Sequence, residues 1–75
     1  MQIPLAHLQA GKTGTIIRVE SPELELILMN MGVCSGDTFT LSDMAPFGGP
    51  IAIAINGTKI SLRKQDAARI LIEAS

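Results

Sequence analysis

The fold is decided by the sequence IAIAINGTKISL at residues 51–62, in which two alternating segments flank the dipeptide Asn56-Gly57. Asn-Gly between two alternating apolar runs is the strongest short-range signal of a β-hairpin, because both residues tolerate the positive φ of a type I′ turn. The two-residue loop fixes the register of the strands and places apolar side chains together on one face. The apolar pairs expected on that face are Ile53 with Ile60 and Ile51 with Leu62.

A stiff corner precedes the hairpin at Ala45–Pro50, which reads Ala-Pro-Phe-Gly-Gly-Pro. Its two prolines fix their own φ and push the residue before each of them into an extended conformation. Gly48 and Gly49 can adopt the positive φ that a sharp reversal of the chain requires. The sequence therefore predicts a compact corner that carries one large apolar side chain, Phe47, at its tip.

One helix is predicted over residues 22–31, because Ser21-Pro22 supplies a favoured N-cap and a favoured first residue. Gly32 follows as a residue that can adopt the left-handed cap conformation. Leu26 and Met29 lie at positions where a surface helix normally carries charges. The stripe expected to face the core, at three- and four-residue spacing, consists of Leu24, Ile27, Leu28 and Met31.

Short alternating segments predict the remaining strands, at residues 13–20, 38–44 and 69–73. One or two helical turns are expected between Pro4 and Gly11, and a single turn near residues 64–68. About five short strands with one real helix indicate a mainly β fold, in one domain over residues 1–75. A small closed or nearly closed barrel is the expected architecture, since closure removes exposed strand edges.

Composition narrows the classes of partner. The chain has 75 residues, a formal net charge of −1 and no block of like charge, which argues against binding to nucleic acid. Its longest apolar run is Pro50–Ile55, far shorter than the ~20 residues of a membrane-spanning helix, so no direct membrane insertion is expected. The single cysteine excludes an intrachain disulfide, and no signal peptide is visible, so we expect a cytoplasmic protein. A mean hydropathy of +0.36 indicates that some apolar surface serves a partner.

Residues that could carry chemistry are few. His7 and Cys34 are the only histidine and cysteine, and neither lies in a ligand spacing such as Cys-x-x-Cys. Because zinc and ferrous iron need three or four converging ligands, no metal site and no cofactor is predicted, and the chain is not expected to be an enzyme. We interpret Cys34 as a small buried residue and His7 as a surface residue. With Phe39 and Phe47 as the only aromatic residues, the chain cannot line a groove for proline-rich peptides.

Several short motifs together resemble the FeoA family over essentially the whole chain. They are Leu5 and Leu8 before Gly11, Gly14-Thr15-Ile16, Leu28–Val33, Gly36-Asp37, Ala45–Ile51, and Ile60–Arg63 with Ala67 and Ile70. The same module is similar to the carboxy-terminal SH3-like domain of DtxR-type iron-dependent repressors. The resemblance implies an SH3-like β-barrel and a cytosolic accessory role in ferrous iron uptake, acting on the membrane GTPase transporter FeoB. The chain departs from the family at Leu26 and Ile27, where members usually carry basic residues, and at Ser35, where proline is common.

Two functions remain open. The first is an interaction module that regulates a FeoB-like transporter, for which the expected partner-binding residues are Leu26, Met29, Phe47, Gly48 and Gly49. The second is a self-associating SH3-like domain of a metal-dependent transcriptional regulator system, which would form a homo-oligomer. The exposure of Leu26 and Met29 decides whether the helix can bind a partner, because a domain this small can instead bury nearly every apolar side chain.

Overall fold

Six strands, two helices and one 3-10 turn make up the computed structural model, which describes every residue from Met1 to Ser75. The strands are β1 (Gln2–Pro4), β2 (Thr13–Val19), β3 (Thr38–Met44), β4 (Ile51–Ile55), β5 (Thr58–Leu62) and β6 (Ile70–Ala74). The helices are α1 (Pro22–Asn30) and α2 (Lys64–Ala67), and the 3-10 turn is Leu5–His7. Neither helix combines the length and the apolar character that crossing a membrane requires.

All six strands belong to one antiparallel sheet with the order β1-β6-β2-β3-β4-β5. The prediction of a mainly β, SH3-like fold with one main helix is confirmed. The sheet does not close into a barrel, because β1 and β5 each pair with a neighbour on one side only. The sequence did not predict β1, in which Pro4 ends an extended segment (ψ 143°) instead of beginning a helix, and Ile3 pairs with Ile72.

The β4–β5 hairpin has the predicted register. Its apolar pairs are Ile53 with Ile60 and Ile51 with Leu62. All four of these side chains are buried in the core. Asn56 has a φ of 51° and Gly57 a φ of 77°, which is the type I′ combination whose twist matches that of the two strands.

The core consists of sixteen buried apolar side chains. Most of them come from alternate positions of the strands, while Leu5 and Leu8 enter from the 3-10 turn and Ala67 enters from α2. No polar or charged residue is buried with them, and no buried side-chain nitrogen or oxygen lacks a hydrogen-bond partner. The fold is therefore held by apolar packing and backbone hydrogen bonds, without a buried polar network.

Helix α1 begins and ends as predicted, but it buries a narrower face. The Ser21 hydroxyl accepts a hydrogen bond from the Leu24 N–H at 3.3 Å, which caps the helix. Only Leu24 and Leu28 are buried, so the prediction that Ile27 and Met31 face the core is wrong; these two are 54% and 44% exposed. Leu24 and Leu28 lie about one turn apart and form a single buried row, and Ile27, about 100° from Leu28 around the helix, lies outside it. Met31 is the C-cap residue, where the chain leaves the helix.

We predict that Gly57→Val destabilises the protein by more than ~1 kcal/mol, because a β-branched residue at a φ of 77° strains the backbone. A steric clash would not explain the effect, since a Cβ at Gly57 meets no atom within 4 Å. Urea unfolding followed by circular dichroism gives the free energy of unfolding. Thr58→Val is the matched control, because it places the same side chain in a strand, where β-branched residues are favoured. Equal stability of the two variants would contradict the turn assignment.

Candidate interaction surface

Neither of the two residues considered for chemistry is part of a cluster of ligands. His7 is exposed on the 3-10 turn, as predicted, and no group of three or more His, Cys, Asp or Glu side chains converges in the structure. Cys34 is exposed, so the prediction that it is buried is wrong. A tight turn explains the difference: the Cys34 N–H donates to the Asp37 carboxylate at 2.9 Å, and the Asp37 N–H donates to the Cys34 carbonyl at 3.1 Å. Val33, not Cys34, fills the adjacent place in the core.

The largest concavity is an open groove of about 490 Å³, lined by residues of β2, β3, β4 and β5 and of the β4–β5 turn. Threonine is the most frequent residue type in its lining, at Thr13, Thr38, Thr40 and Thr58. Phe39 is among the few apolar residues that border it, and Phe39 itself is buried. Few of its lining residues are hydrophobic and the groove is open, whereas sites for small organic ligands are usually enclosed and mainly apolar.

Four large apolar side chains of α1 and its cap are exposed, and together they form what we call the helix surface. They are Leu26, Ile27, Met29 and Met31, with exposed fractions of 59%, 54%, 54% and 44%. Isolated exposed apolar residues are common on proteins, but contiguous apolar patches mark interaction sites. Leu26 and Met29 lie about 60° apart on one side of the helix, and Ile27 lies about 100° from Leu26 on the other side. Helix α1 is therefore the leading candidate for an interaction surface.

The helix surface stands on a rigid support. The Asn56 side-chain amide donates to the Gly32 carbonyl at 3.0 Å and to the Asp37 carboxylate at 3.1 Å. These two hydrogen bonds join the β4–β5 turn to the loop that ends α1, where Gly32 has a φ of +84°. A partner that binds the helix surface therefore meets a pre-ordered element, which lowers the entropy cost of binding.

Phe47 is fully exposed at the tip of the Ala45–Pro50 corner. The positive φ angles fall on Phe47 (59°) and Gly48 (75°), and not on Gly48 and Gly49 as the sequence suggested. Gly49 is required for space, because a Cβ there would lie 2.6 Å from the Ala45 Cβ. Two backbone hydrogen bonds close the corner, from Ala45 N–H to the Pro50 carbonyl at 3.0 Å and from Gly49 N–H to the Pro46 carbonyl at 3.2 Å. The predicted compact corner with Phe47 at its tip is confirmed.

The helix surface and the Phe47 corner lie at opposite ends of strand β4. The corner leads into Ile51, which pairs with Met44, whereas Ile55 at the other end leads into Asn56 and its bond to Gly32. At ~3.4 Å per residue, β4 separates its two ends by roughly 14 Å. The structure thus leaves Leu26, Met29 and Phe47 exposed but does not bring Phe47 into one patch with the other two.

We predict that Phe47→Asn stabilises the protein by roughly 0.5–1 kcal/mol, because Asn tolerates left-handed backbone better than Phe does. No buried contact is lost, since the Phe47 side chain is fully exposed. Phe47→Val removes the same ring but places a β-branched residue at a φ of 59°, so it should destabilise the protein. Urea unfolding of both variants tests the prediction, and a shift of the same sign in both would contradict it.

We also predict that the chain binds neither ferrous iron nor zinc with one-to-one stoichiometry, because no three potential ligands converge. The measurement is isothermal titration calorimetry of anaerobic protein with each ion. A single tight site would contradict the prediction, and the variants His7→Ala and Cys34→Ala would then show which side chain is a ligand.

Comparison with known proteins places this geometry in a family. Residues 3–74 match the model of the FeoA domain. A relative from Porphyromonas gingivalis (strain ATCC BAA-308 / W83), the Fe(2+) transport protein A/Fe(2+) transporter FeoB fusion protein, is 34% identical over 70 residues. The match covers 92% of this chain but only 8% of the fusion protein's length.

Solved structures agree with the family model. The crystal structure of an iron uptake regulatory protein (FeoA) matches with a TM-score of 0.87 at 25% identity, covering 100% of this chain and 99% of that one. A manganese-dependent transcriptional repressor matches with a TM-score of 0.87 at 21% identity, covering 99% of this chain and 42% of the repressor, which is a similarity of fold alone. The resemblance drawn from the motifs is confirmed, and since the FeoA model covers nearly every residue, the chain belongs to the FeoA family.

Proposed function

We propose that this chain is a non-enzymatic accessory protein of ferrous iron uptake that binds a FeoB-like membrane GTPase transporter at its cytoplasmic side and regulates it. The observation that carries the proposal is the relative whose name joins Fe(2+) transport protein A and transporter FeoB in one polypeptide. Two modules fused in one chain face each other at a high effective concentration, so even a weak contact between them is populated. A separate chain has no such tether and depends on its own affinity for the transporter.

The exposed apolar side chains supply a source of that affinity. Complete burial of a Leu, Ile or Met side chain contributes roughly 1.5–3 kcal/mol, and the four side chains of the helix surface are already about half buried. Their remaining exposed area therefore corresponds to only a few kcal/mol. Association costs at least ~4 kcal/mol in lost translational and rotational freedom. This balance favours a weak, reversible complex, as expected for a regulator and not for a permanent subunit.

The Phe47 corner is a second, separate contact point in this proposal. Its ring is fully exposed, and the hydrogen bonds of the corner keep it in place without help from a partner. Because the corner and the helix surface lie at opposite ends of β4, one compact site on the transporter would not cover both. We therefore propose that the helix surface is the primary contact and that Phe47 reaches a second region of the transporter.

Self-association is the second candidate function. The same exposed apolar residues favour it, and an exposed apolar patch on a monomer commonly pairs with a second copy. The oligomeric state in solution, measured by light scattering over a range of concentrations, separates this candidate from the first.

We predict that Leu26→Lys and Met29→Lys each weaken binding to the full-length, detergent-solubilised transporter by at least about tenfold, since each places a charge in an apolar contact. Phe47→Asp should weaken binding less, because it removes the secondary contact. The melting temperatures should stay close to that of the wild type, since all three side chains are exposed. Biolayer interferometry gives the affinities.

Gln65→Lys is the matched control, because it adds the same charge to an exposed position on α2, outside both the helix surface and the Ala45–Pro50 corner. If Leu26→Lys and Met29→Lys unfold the protein, the side chains belong to the core and the docking proposal fails. If they bind the transporter as tightly as Gln65→Lys does, the contact lies elsewhere on the molecule. Absence of any binding by the wild type would overturn the proposed function itself.

A further inference from the structure

An exposed apolar row runs along the side of α1 that faces away from the core. It consists of Pro22, Leu26 and Met29, which we call the seam. Because an α-helix turns by about 100° per residue, the seam occupies an arc of roughly 60° on the side opposite to Leu24 and Leu28. Its spacing of four and then three residues is that of the apolar positions in a coiled coil. This spacing is typical of a surface that packs against another helix.

Acidic residues flank the seam on both sides. Glu25 lies next to Met29 around the helix, and Glu23 lies on the far side of Leu26, at the positions where coiled coils place the charges that select a partner. Neither carboxylate takes part in an ion pair. The ion pairs of the structure join the amino terminus with Glu73, Arg18 with Glu20, Lys59 with Asp43, and Arg63 with Asp66.

We infer that the seam binds an amphipathic helix of the transporter whose apolar stripe is flanked by lysine or arginine. The inference rests on the proposed function and specifies the segment of the transporter that is recognised. Helix α1 contains no lysine or arginine, so the charges that the helix itself presents beside the seam are negative. Opposite charges on the partner complete ion pairs with Glu23 and Glu25, and like charges are rejected.

A second copy of this chain is disfavoured as the occupant of the seam. Pairing two copies of α1 in parallel places Glu25 of one copy on the same flank of the contact as Glu23 of the other, and antiparallel pairing brings identical glutamates together. Each arrangement places like charges beside an apolar contact without any cation to neutralise them. An anionic lipid surface is disfavoured for the same reason, since helices that lie on such membranes carry lysine and arginine on their polar face.

The seam also determines how binding responds to salt. It is about two helical turns long, so its contact area is below the ~1,200 Å² of stable complexes and the complex is short-lived. In such complexes, charges at the rim of the interface act mainly on the rate of association, and salt screens them. Wild-type association should therefore slow down clearly as the ionic strength rises.

The test compares two double variants that change the net charge by the same amount, from −1 to +1. Glu23→Gln/Glu25→Gln neutralises the flanks of the seam, whereas Gln9→Lys/Gln65→Lys adds two positive charges at exposed positions outside α1. We expect the first variant to bind the full-length solubilised transporter about two- to tenfold more weakly at low salt, with a flatter salt dependence. The second should show the wild-type salt dependence.

Equal affinity and equal salt dependence of the two double variants would overturn the inference. If Leu26→Lys still abolished binding in that case, the proposed function would stand. This outcome distinguishes failure of the inference about charge from failure of the proposed function. Absence of wild-type binding would overturn the proposed function, and the chemistry of the seam is then tested without the transporter.

That second test uses two synthetic amphipathic helical peptides with the same leucine seam, one flanked by lysine and one by glutamate. Chemical shifts of the isotope-labelled chain report weak binding, and we expect the lysine-flanked peptide to perturb the backbone amides of residues 23–30 and the glutamate-flanked peptide to leave them unchanged. Equal perturbation by both peptides, or none by either, would overturn the inference.

Discussion

The rest of the structure depends on Asn56, whose backbone and side chain perform two separate tasks. Its φ of 51° begins the type I′ turn that sets the register of β4 and β5, and so decides which isoleucines face the core. Its amide donates to the Gly32 carbonyl and to the Asp37 carboxylate, which holds the end of α1 against the hairpin. The register of the sheet and the placement of the helix surface are therefore coupled through one residue. The exposed helix is attached to the β4–β5 hairpin, which is the element that the sequence specifies most strongly.

A domain of this size has few apolar residues to place outside its core. Chains of 75 residues bury a smaller fraction of their surface than larger proteins do, so each exposed leucine or methionine is a loss of potential stability. Helix α1 has only two buried residues but exposes Leu26, Ile27 and Met29. The helix is thus poorly optimised for packing, whereas its cap at Ser21 and its acidic first turn are well suited to helix formation. A helix that is well capped but leaves most of its apolar side chains exposed is suited to binding a partner.

Local signals in the sequence were sufficient for most of the fold. The hairpin, α1, the strand at Thr38–Met44 and the single turn of α2 each depend on turn residues, caps or alternation within a few positions, and the structure confirms them. Strand β1 could not be predicted in this way, because its three residues become a strand only by pairing with β6 at the other end of the chain. Cys34 and Ile27 were misjudged for a similar reason: small and apolar residues are common in cores, but the tight turn at Cys34 and the narrow buried face of α1 place these two side chains outside.

The candidate site was predictable as a set of residues and not as an arrangement in space. Periodicity placed Leu26 and Met29 outside the core stripe, and the two prolines placed Phe47 at a corner, yet no local pattern gives the distance between two surfaces at opposite ends of a strand. The positive φ of Phe47 also could not be predicted from the sequence, because glycine is the residue that usually adopts this conformation. Phe47 departs from two ordinary preferences, because aromatic side chains are usually buried and non-glycine residues rarely adopt left-handed backbone. Such conflicts are expected where a residue serves binding rather than folding, because stability alone would have favoured a smaller residue there.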